Sequence, residues 1–118
     1  MVNDLIVVID VNDVDRMIFR NILHPYGVTV LECSNVSDAM HLLRIHHAKC
    51  VFIEETLINL EGGFLKKEIE RFSKYSKIHS IGYTLNAMHD RDSYFNPLNV
   101  DDFLVGPIEV NNLLKVIR

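Results

Sequence analysis

The chain has 118 residues, 48% of them apolar and 24% charged, which suits one globular domain with its own core and argues against long disorder. Its 16 acidic and 12 basic residues give a net charge of −4, so the basic footprint of a nucleic-acid-binding protein is missing. No apolar run approaches the roughly 20 residues of a membrane span, and the start Met1-Val2-Asn3-Asp4 lacks the positive charge of a signal peptide.

Apolar runs alternate with helical patterns along the chain. Leu5–Ile9 is a short β-branched run ending at Asp10, of the kind buried on both faces of a sheet. Val14–Leu23 has helical spacing and is closed by Pro25 and Gly27. Val28–Cys33 predicts a second strand and Ser37–His47 a second helix. Val51–Glu54 predicts a third strand.

Gly62-Gly63 predicts a turn before a helix over Phe64–Tyr75, in which Leu65, Ile69 and Phe72 form a buried stripe. Ile78–Tyr83 predicts a fourth strand that Gly82 weakens. A short helix over Met88–Phe95 follows, bounded by Pro97. Phe103–Val105 is a brief fifth strand and Glu109–Ile117 the closing helix. Repeated β-α units with short connections imply an α/β domain, 1–118, whose parallel sheet is covered on both faces. Sites in such domains lie beyond the carboxyl ends of the strands, here at Asp10, Glu54, Glu55, Thr84 and Gly106.

Cys33 and Cys50 form no CxxC pair and read as small buried hydrophobes. That fits a reducing compartment, and the expected setting is the cytoplasm. His41, His46 and His47 lack the i, i+4 spacing that brings two metal ligands together, and they read as exposed.

Leu5-Ile-Val-Val-Ile-Asp10-Val-Asn-Asp-Val-Asp-Arg16 resembles the first strand and loop of response-regulator receiver domains. Val51-Phe-Ile-Glu-Glu55 resembles their third strand, and Gly62-Gly63 falls where they have Asp-Gly. Thr84-Leu-Asn-Ala-Met88 resembles the stretch after their fourth strand, and Asp101-Asp-Phe-Leu-Val-Gly-Pro-Ile108 their fifth strand with its Lys-Pro-Ile ending. The resemblance covers the whole chain. It implies a doubly wound, flavodoxin-like sheet in the order 2-1-3-4-5.

The resemblance also implies a pocket in which an aspartate takes up phosphate, two acids hold magnesium, a hydroxyl contacts the phosphoryl oxygens and a lysine offsets their charge. Phosphoryl transfer depends on cations placed around developing negative charge. By this resemblance Asp10 keeps one metal-binding acid, Val11 replaces the other, Glu55 stands at the acceptor position, Thr84 keeps the hydroxyl and Gly106 replaces the lysine. An isopropyl group cannot coordinate a cation, and glycine supplies no charge. Each preorganised contact is worth about 3–4 kcal/mol in a transition state. The expectation is a phosphorylation-deficient pseudo-receiver with no enzymatic activity, no cofactor and no magnesium, Asp10 and Glu55 being the only weak metal candidates.

Two readings stay open at Glu55. It accepts a hydrogen bond from Thr84 and holds an activated-like state, or it faces solvent in a drifted site. Phe103 stands where the resemblance puts a switching aromatic, and is equally a strand core residue.

Val14, Met17, Ile18, Phe19, Ile22 and Leu23 span about 240° of the first helix at 100° per residue, against roughly 100° for an ordinary apolar stripe. Val14, Met17, Ile18 and Ile22 are therefore a candidate partner face. The resemblance implies protein partners: a histidine kinase, a phosphotransfer domain or another receiver, with a homodimer among the options. Competing functions are a receiver that takes up phosphate or a divalent cation by an altered route, and a different doubly wound binder or enzyme. Against the latter, Val11-Asn12-Asp13 stands where a Gly-rich phosphate loop would follow the first strand.

Overall fold

The computed structural model describes residues 4–72, 77–85 and 99–118. Their elements are β1 (Asp4–Ile9), α1 (Asp13–Leu23), a 3-10 turn (His24–Tyr26), β2 (Val28–Cys33), α2 (Val36–Ile45), β3 (Cys50–Glu54), α3 (Glu55–Phe72), β4 (His79–Thr84), β5 (Asp102–Val105) and α4 (Val110–Ile117). All strands are parallel, in the expected order β2-β1-β3-β4-β5.

Side-chain alternation along the central strands feeds two cores. Val7, Ile9, Val51 and Ile53 meet Ala39 and Leu43 of α2 and Ile58, Leu65 and Ile69 of α3 on one face. Ile6, Val8, Cys50, Phe52, Ile81 and Tyr83 meet Phe19 and Leu23 of α1 and Leu113 and Ile117 of α4 on the other. Asn12 caps α1 through its side chain, accepting from the amides of Val14 at 2.9 Å and Asp15 at 3.2 Å. Asn35 caps α2 in the same way, accepting from Asp38 N–H at 2.8 Å. Gly27, with φ 77°, supplies the left-handed residue that closes the turn into β2.

One sequence expectation fails. Gly62-Gly63 makes no turn, because α3 runs unbroken from Glu55. Buried Leu57, Ile58, Leu65 and Ile69 hold helical spacing across the glycine pair, and that burial outweighs the roughly 1 kcal/mol propensity cost of each glycine. Gly62 also lets the helix approach its surroundings: a Cβ there would stand 3.2 Å from Asn99 Cβ and 3.3 Å from Ile58 Cγ2. The helix expected over Met88–Phe95 lies outside the described residues.

The remaining boundaries differ from expectation by one or two residues. Gly82 makes room within β4. A Cβ at Gly82 would meet Ile58 Cδ1 at 2.4 Å and Phe103 Cδ2 at 2.7 Å.

Candidate functional site

Asp10 leaves β1 at the carboxyl edge of the sheet and is buried. Its amide donates to Cys33 O at 3.1 Å, and the Arg16 guanidinium donates to its carbonyl. Both carboxylate oxygens have donors: Oδ1 accepts from Asn12 N–H at 2.9 Å and Oδ2 from the Tyr83 hydroxyl at 2.8 Å. The Tyr83 ring is fixed by Phe19, edge-on at a centroid distance of 4.8 Å, and Phe19 in turn packs on Phe52 at 5.2 Å.

Burial, then the charge of Asp10 and its hydrogen bond, then the charges of Glu54 and Asp15, push the Tyr83 phenol well above its ordinary range. Asp15 is raised as well, first by burial, then by the charge of Asp10 and a hydrogen bond to it, then by Glu54. Asp10, Asp15, Glu54 and Tyr83 thus form one acidic cluster.

Glu54 ends β3, and its carboxylate accepts from Thr56 N–H at 2.9 Å and from the Thr56 hydroxyl. Glu55 begins α3 and is buried rather than facing solvent. Its Oε1 accepts from the buried Thr84 hydroxyl at 3.0 Å. Gly106 N–H donates to Thr84 O at 2.6 Å. A Cβ on Gly106 would lie 2.9 Å from both Cα and O of Leu85, so backbone fills the place of a side chain. Phe103 is half-buried against the core, over Gly82.

Glu55, Thr84 and Gly106 are joined through Thr84. Asp10 belongs with Tyr83, and Val11 is exposed. Of the expected partner face, Val14 and Met17 are exposed, and Ile18 and Ile22 are half-buried. Phe19 and Leu23 are core residues. His41, His46 and His47 are exposed, and both cysteines are buried thiols, as expected.

Sequence reasoning missed Tyr83 and Asp15, and named Glu54 without a role. For Tyr83 the available signal was position: it precedes Thr84 by one residue, so the two point to opposite faces of β4.

A magnesium ion needs several oxygen ligands with free lone pairs. Here Asp10 accepts one hydrogen bond at each carboxylate oxygen, Val11 offers no ligand, and among the described residues no group of three His, Cys, Asp or Glu side chains is arranged to hold a metal.

No family model matches the chain, and neither does any curated protein. Solved structures do. The chain is similar to the receiver domain of a sensor histidine kinase from Pseudomonas aeruginosa, with 17% identity, TM-score 0.77, and 98% of this chain and 95% of that one covered. That domain carries a magnesium ion in its active-site cleft. The signal receiver domain of an HD-domain protein from Pseudomonas fluorescens matches with TM-score 0.74 and 19% identity, covering 98% and 85%. The receiver domain of Ssk1 from Saccharomyces cerevisiae, solved with the histidine phosphotransfer protein Ypd1, matches with TM-score 0.71 and 18% identity, covering 98% and 86%. At these identities the likeness establishes the receiver fold.

Proposed function

We propose that this chain is a receiver-fold signalling module that works without taking up phosphate, through contacts with another protein. The observation that carries this reading is Gly106. Where receivers need a cation to offset phosphoryl charge, the Leu85 backbone leaves no space for any side chain. The isopropyl group of Val11 beside Asp10, which offers no ligand, supports the same conclusion. So does Glu55, whose carboxylate already engages the Thr84 hydroxyl and keeps the site in one arrangement.

On this reading the domain is neither an enzyme nor a magnesium protein, and it works in the cytoplasm, where its two thiols stay reduced. The described residues contain no helix long and apolar enough to cross a membrane. Its partner is a histidine kinase, a phosphotransfer domain or another receiver. The docking face is α1, where Val14 and Met17 remain exposed beside Val11.

The test is an amide NMR titration with magnesium, then with magnesium plus beryllofluoride. The spectrum should not change. Saturable shifts at Asp10, Glu54, Glu55 and Thr84 would show a working phosphoryl site and sink the proposal.

A further inference from the structure

We draw no further inference here: the strongest candidate, the exposed apolar strip of α3 formed by Leu60 and Phe64, is flanked by Glu61 and Glu68 as well as by Lys67, and nothing in the structure shows what covers it.

Discussion

Tyr83 donates its hydroxyl proton to Oδ2 of Asp10 across 2.8 Å, joining β4 to β1 over the intervening β3. Both residues are buried, so removing the donor leaves a carboxylate oxygen short of a partner away from water. A buried group left unsatisfied costs about 1–3 kcal/mol. Tyr83→Phe should lower the unfolding free energy by that amount, seen as a lower urea midpoint at an unchanged m-value. An unshifted midpoint would mean that water replaces the hydroxyl and that the bond does not hold the site.

The same bond gives the fold an alkaline limit. The Tyr83 phenol is raised in the folded state, chiefly by burial, so the native protein keeps a proton that the unfolded chain releases above about pH 10. Its contribution is therefore complete below that pH and shrinks above it. Burial also pushes Cys33 up to about 12 and Cys50 to about 11, which adds a decline starting near the ordinary thiol range. Stability from urea unfolding should fall steadily between about pH 9 and 11, and less steeply in Tyr83→Phe and in Cys33→Ala. Parallel curves for all three proteins would contradict this account.

Much of this was legible in the sequence because it is local. Leu5–Ile9 is a β-branched run whose burial is written in composition, and the strands came out within a residue of expectation. Gly62-Gly63 misled because a glycine pair signals a turn, while continuation of α3 is decided by what Leu57, Ile58 and Leu65 bury. The Asp10–Tyr83 bond was not legible at all. It joins residues 73 apart and depends on the register of β1, β3 and β4, which no local pattern carries. Val11 and Gly106 could be flagged as departures from the receiver pattern. That the Leu85 backbone occupies the space at Gly106 required coordinates.

At Gly82 the space of a side chain is filled by Ile58 and Phe103. Gly82→Ala alone should destabilise by about 1–3 kcal/mol through overpacking. The nearest obstruction, Ile58 Cδ1, is the end of a flexible side chain and is absent from valine. Adding Ile58→Val should therefore return part of the loss, so the double variant lies above the sum of the singles. Strict additivity would place the strain on Phe103 instead.

The Thr84–Glu55 hydrogen bond ties the end of β4 to the first turn of α3. Thr84→Val keeps the shape but removes the donor to Glu55 Oε1, at a cost of about 1–3 kcal/mol. Amide exchange should quicken at the start of α3 more than in α2, since only the former loses an anchor. Equal quickening in both helices would mean the bond acts on global stability alone.

Gly106→Lys separates a drifted site from one that is structurally closed. In a drifted site with room to spare, the restored lysine would be tolerated and would raise phosphate uptake. Here the new Cβ meets backbone rather than a movable side chain, at 2.9 Å from Leu85 Cα and O, and Gly106 N–H is held by Thr84 O at 2.6 Å. Relief requires one loop to withdraw and that hydrogen bond to lengthen. The variant should lose about 1–3 kcal/mol, and Gly106→Ala nearly as much, because the clash arises at the Cβ they share. Neither should acquire acyl phosphate from a small-molecule donor by intact mass. A Gly106→Lys protein with wild-type stability and a phosphorylated mass would show that the closure is not structural.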